Sequence, residues 1–203
     1  MDIILDSRFD DLEQLSSLTK AWDLDFRLIQ KGGFQGHIRQ SVMPEILITY
    51  AHFNSKLHQA GTTPPGYRTY ALPDRRCQGF WWLGHEVDSH CVTRFGTDGE
   101  LMCVSDDDFA VCTLSLREDF LEQLSESLCL SFPGPDRKVT RIARRQMATL
   151  HQLAKSAVYH NASSVRAEAA NQLAQQLLAC CADGTSVRVS SARNRDRAIN
   201  RII

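Results

Sequence analysis

The hydrophobic pattern changes three times along the chain. Residues 1–20 read as a short N-terminal helix, because Phe9, Leu12 and Leu15 recur at helical spacing among Asp10, Asp11 and Glu13. From residue 22 the period falls to two. Leu24, Phe26 and Leu28 alternate with Asp23, Asp25 and Arg27, the signature of a half-buried strand. Lys31-Gly32-Gly33 turns the chain, and 34–42 is expected to return as the hairpin partner. Further short strands are predicted over 45–53, 67–72, 79–83, 90–95, 100–104 and 109–114. Gly61-Thr62-Thr63-Pro64-Pro65-Gly66 and Thr97-Asp98-Gly99 read as punctuation between them. This rhythm predicts an antiparallel β-barrel or sandwich.

Beyond Leu114 the period lengthens again. Ser115 and Glu118 have capping-box spacing, and Leu116, Phe120, Leu124 and Leu128 follow on one face. Pro133-Gly134-Pro135 breaks that helix, and Asp136 is expected to cap the next. The stripe of this second helix is Val139, Ile142, Met147, Leu150, Leu153 and Ala157. A third carries Val165, Ala169, Leu173 and Leu177 and stops at Gly184. The fold class is therefore α+β: a small antiparallel β-barrel or sandwich of cupin-like type, with a short N-terminal helix and a C-terminal helical hairpin. The expected division is 1–114 for helix and strands, 115–184 for the helical region, and 185–203 for a linker and the start of a further region, basic from Arg188 on.

Composition narrows the function. The chain has 203 residues, 43 % of them hydrophobic, enough for one sizeable core. Lys and Arg number 23 against 24 Asp and Glu, a net charge of −1, whereas a free-standing nucleic-acid binder is usually basic. Seven cysteines with no C-x-x-C spacing favour reduced, buried thiols, with a redox-sensing Cys180–Cys181 pair as the alternative. The N-terminus lacks the pattern of a signal peptide, and no apolar run reaches membrane-spanning length, so a soluble, cytoplasmic protein is expected.

Several stretches resemble the effector domain of AraC-type transcription regulators. Trp22-Asp23-Leu24-Asp25-Phe26 with Gly33-Phe34-Gln35-Gly36 is similar to the opening strand, glycine turn and return strand of such a domain. Pro64-Pro65-Gly66-Tyr67 and Leu72-Pro73 resemble its barrel lip, and Gly99-Glu100-Leu101 a later hairpin. The tail Arg193-Asn194-Arg195-Asp196-Arg197-Ala198-Ile199-Asn200-Arg201-Ile202-Ile203 looks like the first helix of the family's DNA-binding domain. The resemblance implies a ligand-sensing and dimerisation domain with no enzymatic activity and no cofactor. Its partners would be a small-molecule effector, a second copy of the chain, and DNA only through a C-terminal helix-turn-helix region lying beyond this sequence.

Candidate ligand contacts follow from side-chain chemistry. Trp81 and Trp82 are adjacent in a strand, so one faces inward and offers a flat apolar wall with one donor. Phe34, Tyr50 and His52 are further wall or hydrogen-bonding candidates, and Arg68 is suited to clamp a carboxylate. Simple core or surface roles are the competing reading for each. Leu150, Leu153, Leu173 and Leu177 are candidates for dimerisation. The histidines, His37, His52, His58, His85, His90, His151 and His160, form no H-x-H pair, so no metal site is assigned. No nucleophile elbow or phosphate loop is present. The basic residues Arg137, Lys138, Arg141, Arg144 and Arg145 read as a solvated helix face or as a contact for DNA or an acidic partner. A metal-dependent cupin-like enzyme and a ligand-free interaction domain are the rival functions.

Overall fold

A computed structural model describes residues 3–30, 32–75, 77, 79–95, 100–130 and 139–186. Along the chain run β1 (Ile3–Phe9), α1 (Leu12–Leu18), β2 (Asp23–Leu28), β3 (Gly36–Val42), β4 (Ile46–Phe53), β5 (Leu57–Thr62), β6 (Tyr67–Pro73), β7 (Phe80–Trp82), β8 (His85–Val87), β9 (Cys91–Arg94), β10 (Glu100–Val104) and β11 (Phe109–Arg117). Then come α2 (Glu118–Ser127), β12 (Val139–Arg141), α3 (Arg144–Tyr159), α4 (Ser163–Asp183) and β13 (Thr185–Ser186).

The strands form two antiparallel sheets. The larger has eight strands in the order β1-β3-β4-β11-β6-β9-β12-β13, and the smaller has five in the order β2-β5-β10-β7-β8. No ladder joins the two among the described residues, so the α+β fold is a sandwich rather than a closed barrel. The large sheet carries the helical hairpin on its other face. Its strands are therefore buried on both sides, which explains the weak alternation along β4 and β11.

Four expectations are corrected. Residues 3–9 are the edge strand β1, paired with β3 in register from Ile3↔Val42 to Phe9↔Gly36; only the segment from Leu12 is helical, capped by Asp11, whose side chain accepts from the Gln14 backbone. β2 is not the hairpin partner of β3. It crosses to the small sheet and pairs with β5, a strand not predicted, whose last residues Gly61 and Thr62 were expected in a loop. Gly61 permits that pairing: its φ is +145°, and a Cβ there would lie 1.9 Å from the Asp23 carbonyl oxygen. Ser115 caps no helix. β11 runs on to Arg117, and the buried Ser115 hydroxyl pairs with Thr69 Oγ1 at 2.8 Å. Finally, Val139 lies in β12, which pairs with β9, and the helix starts at Arg144. The expected turn at 97–99, the break at 133–135, the cap at Asp136, Arg137 and Lys138, and the basic tail from Arg188 lie outside the described residues.

The hairpin packs as its stripes require. Met147, Leu150, Ala154, Ala157 and Val158 of α3 meet Ala169, Ala170, Leu173, Ala174, Leu177 and Leu178 of α4, and both meet Ile46, Ile48, Tyr70, Leu72, Leu114 and Leu116 on the sheet. The alanines let the helix backbones approach closely. The turn between them is held by buried Arg166, whose Nη1 donates to the carbonyls of His160 (2.7 Å) and Asn161 (2.9 Å).

Candidate functional site: the cavity between the sheets

The strand period separates two chemistries on the large sheet. On β11, Ala110, Cys112, Leu114 and Leu116 face the helices, while Phe109, Val111 and Thr113 face the small sheet. β4 repeats the split, with Ile46, Ile48 and Tyr50 toward the helices and Thr49, Ala51 and Phe53 inward. The inward faces do not close completely. They leave a cavity of about 70 Å³. From the large sheet Ile38, Gln40, Ala71, Phe95 and the residues just named line it; from the small sheet come Leu24, Phe26, Gln59, Phe80, Trp82, Leu101 and Cys103. Leu15 and Thr19 of the α1 region, with Trp22, close one end.

Aromatic rings in sequence frame this space. Trp22 meets Phe95 edge-on at 5.7 Å, and Phe95 meets Trp82 at 4.6 Å. The series continues through Phe80 (6.4 Å), Phe109 (5.4 Å) and Phe53 (6.2 Å), and ends at Phe9 and Phe34. All of these pairs are tilted or edge-on except Phe53–Phe109, which is stacked, and both geometries suit the ring quadrupole.

A polar row crosses the otherwise apolar lining. The register sets Gln40 opposite Thr49, Thr49 opposite Thr113, and Thr113 opposite Ala71, which in turn faces Thr93. The hydroxyls of Thr49, Thr113 and Thr93 are buried without a hydrogen-bond partner, and so is the Trp82 indole N–H. Thr49, Thr113 and Trp82 line the cavity, whereas Thr93 only continues their row across the sheet; most buried polar groups are paired, so three orphans around one space call for an explanation. None of the described lining residues is Asp, Glu, Lys, Arg or His. The Cys103 thiol, wholly buried, is pushed well above its usual pKa by desolvation and stays neutral.

The six candidate contacts are scattered by this geometry. Trp82 lies in the cavity wall and is 2 % exposed. Trp81 points to the opposite side of the small sheet, into a surface cleft with Lys56, Glu86 and Asp106. Phe34 is buried against Phe9 at 5.6 Å, at the far end of the aromatic series. Tyr50 faces the helices, where its hydroxyl donates to Asp74 Oδ2 (3.2 Å) and its ring meets Tyr159. His52 is on that same outward face, 2.6 Å from Asp108, in a polar groove with Arg8 and His37. Arg68 is also outward and reaches Glu118 at 3.4 Å. One strand residue of phase therefore decides the matter: Thr49, beside Tyr50, and Thr69, beside Arg68, have the inward orientation. Thr49 and Thr113 were missed. The available signal was a threonine inside each of two apolar strands, in phase with Phe53 and Phe109.

The proposed dimer leucines are also relocated. Leu150, Leu173 and Leu177 are 0 % exposed within the single chain, packed on the sheet and on each other. Only Leu153 is partly open. The outward face of α4 carries Glu168, Asn171, Gln172, Gln175 and Gln176 instead.

The outer face ties sheet to helices through polar links as well. His151 of α3 is buried and its Nε2 lies 2.9 Å from the Pro73 carbonyl, next to Asp74. Arg39 of β3 donates from Nε to the Val158 carbonyl (3.1 Å), stacks over Tyr159, and pairs with Asp6. Among the described residues, no three His, Cys, Asp or Glu side chains converge to hold a metal, and no helix is long and apolar enough to cross a membrane. Six cysteines are buried and Cys129 is exposed, with all seven free.

No protein-family model matches the chain, and no curated protein matches it. Among solved structures, the crystal structure of the AraC-like transcriptional activator CuxR is similar in fold, with a TM-score of 0.63. The two are 14 % identical, and the match covers 98 % of this chain and 78 % of that one.

Proposed function

We propose that this chain is the ligand-sensing module of an AraC-type transcription regulator, a binding module rather than an enzyme. The observation that carries the reading is the double use of β4 and β11. Thr49, Val111 and Thr113 line the cavity, and the residues between them, Ile48, Cys112 and Leu114, form the bed on which α3 and α4 lie. A guest that moves those strands must repack the helices.

Size supplies the differential affinity that a switch needs. A cavity of about 70 Å³ is small for a metabolite; a dry cavity that takes benzene is roughly 150 Å³. An effector therefore prefers an expanded arrangement of the sheets and shifts the population toward it. The likeness in fold to an AraC-like activator supports a regulatory output. In this reading the output passes from the hairpin to a DNA-binding region following residue 184, in a cytoplasmic homodimer. The second copy meets an exposed face of the hairpin, with Leu153 as the one contact retained from the four leucines. Trp82 is the one retained ligand contact, joined by Thr49 and Thr113.

Thermal unfolding with a broad metabolite set, followed by amide hydrogen exchange on any stabilising compound, tests the reading. A ligand that binds only the folded form raises the midpoint. The expected result is such a rise together with altered exchange in residues 144–159. Stabilisation with no change in the helices contradicts the relay. Stoichiometric metal in the purified protein favours the cupin-like enzyme instead.

A further inference from the structure

Resting on that sensing reading, we infer that the effector is an uncharged, mainly apolar small molecule that carries at least one hydrogen-bond acceptor for the Trp82 indole N–H. Two observations define the class. First, the walls are mainly aromatic and aliphatic carbon, with the neutral side chains of Thr19, Gln40, Thr49, Gln59 and Thr113 among them and no ionic partner. An unpaired carboxylate, phosphate or ammonium placed there exchanges its hydration for a few neutral hydrogen-bonding groups and no counter-charge, at a cost that disfavours it strongly. The cation best placed by sequence to hold a carboxylate, Arg68, is on the other face of the sheet beside Glu118.

Second, the orphaned groups specify polarity and position. Trp82 Nε1 is a donor only, so it requires an acceptor. Thr49 and Thr113 sit opposite each other on β4 and β11, and each hydroxyl can donate or accept. The indole comes from the small sheet and the hydroxyls from the large one. A neutral hydroxyl, carbonyl or amide on a flat apolar body satisfies both walls.

The test uses matched probes on the full chain at pH 7.5: benzyl alcohol, benzamide, benzoate, benzylammonium and benzene, titrated by calorimetry and followed by thermal unfolding. The account expects benzyl alcohol or benzamide to bind and raise the midpoint, with benzoate and benzylammonium at least tenfold weaker. Loss of one hydrogen bond, in Trp82→Phe or Thr113→Val, is expected to weaken the neutral probe by about three- to tenfold. Thr69→Val, whose hydroxyl is bonded to Ser115 outside the cavity lining, serves as a folding control with unchanged affinity. Charged probes binding as well as neutral ones overturns the assigned class while leaving sensing intact. Benzene binding with no gain from the oxygen-bearing probes overturns the acceptor requirement. Failure of all five to bind at millimolar concentration overturns the class and counts against the cavity itself.

Discussion

The large sheet separates two interiors built to different standards. On its helix side, Ile48, Leu72, Leu114, Leu150, Leu173 and Leu177 are each 0 % exposed and aliphatic, with Tyr70 OH the one orphaned side-chain atom there among the described residues. On its inner side, aromatic rings line a void, and the orphaned hydroxyls of Thr49 and Thr113 share that lining with the orphaned Trp82 indole N–H. Close packing stabilises the first region and fixes the helices. The second leaves stabilisation unrealised in a way that a guest can complete. Close packing and the proposed binding site thus occupy opposite faces of the same strands.

The sharpest way to break this comparison is to make one substitution on each side. Leu173→Ala is expected to cost about 2–5 kcal/mol, because the surrounding helices cannot collapse into the hole. Leu101→Ala, at the cavity wall, should fall at or below the low end of that range, since its side chain already borders empty space. Urea unfolding measures both, and equal losses would erase the distinction.

Hydroxyl removal gives a smaller effect with opposite signs. Thr69→Val strands the buried Ser115 hydroxyl and should destabilise by about 1–3 kcal/mol. Thr113→Val replaces an orphan by a methyl and should be neutral or stabilising by up to about 1 kcal/mol. Chemical denaturation of the pair reads the difference directly.

A pH dependence belongs to the helix side. Burial lowers the pKa of His151 below its ordinary value of 6.5, against the opposing pull of Asp74 and the Pro73 carbonyl; Arg75 and Lys155 add to the lowering. The unfolded chain therefore binds the proton more readily. The stabilisation is complete above about pH 6.5 and is lost as the pH falls from there toward the depressed folded value. His151→Gln, which keeps a donor for Pro73, should flatten unfolding midpoints measured between pH 5 and 8. An unchanged slope would assign the dependence elsewhere.

Thiol labelling gives the finest discrimination. Cys129 is exposed and should react first. Burial raises the pKa of Cys112, on the helix side, to about 12 and that of Cys103, in the cavity wall, further still. Opening of the structure then controls their reaction, and mass spectrometry of alkylated protein should find Cys103 modified before Cys112. The reverse order would make the helix side the looser one.

Much of the architecture was legible from periodicity alone. Antiparallel strands through residue 114, the helix pair and the stop at Gly184 follow from local pattern and turn chemistry. Three features did not. The β1 segment carries Asp6 and Arg8 within apolar residues, an edge-strand pattern that its continuation into α1 disguises as helix. The partner of β2 is set by sheet-to-sheet packing, and the Gly32-Gly33 turn suggests a hairpin that tertiary contacts override. Of the proposed contacts Trp82 lines the cavity, while Tyr50 stands one residue out of phase with the lining Thr49. Where both faces are buried, alternation shows that there are two faces but not which one encloses the cavity. On β11 the face carrying Thr113 and Ser115 points into the sandwich, and the purely apolar face points to the helices. That inverts the usual polar-out pattern.

The indole proton of Trp82 offers the most direct reading of the central claim. In a ¹⁵N–¹H spectrum the three tryptophans give three indole signals, assigned by Trp→Phe variants. On titration with benzyl alcohol, the Trp82 signal should move downfield as its N–H gains an acceptor, while Trp81, on the far side of the sheet, stays in place. Movement of Trp81 with Trp82 unchanged would place the ligand outside the sandwich and contradict the account.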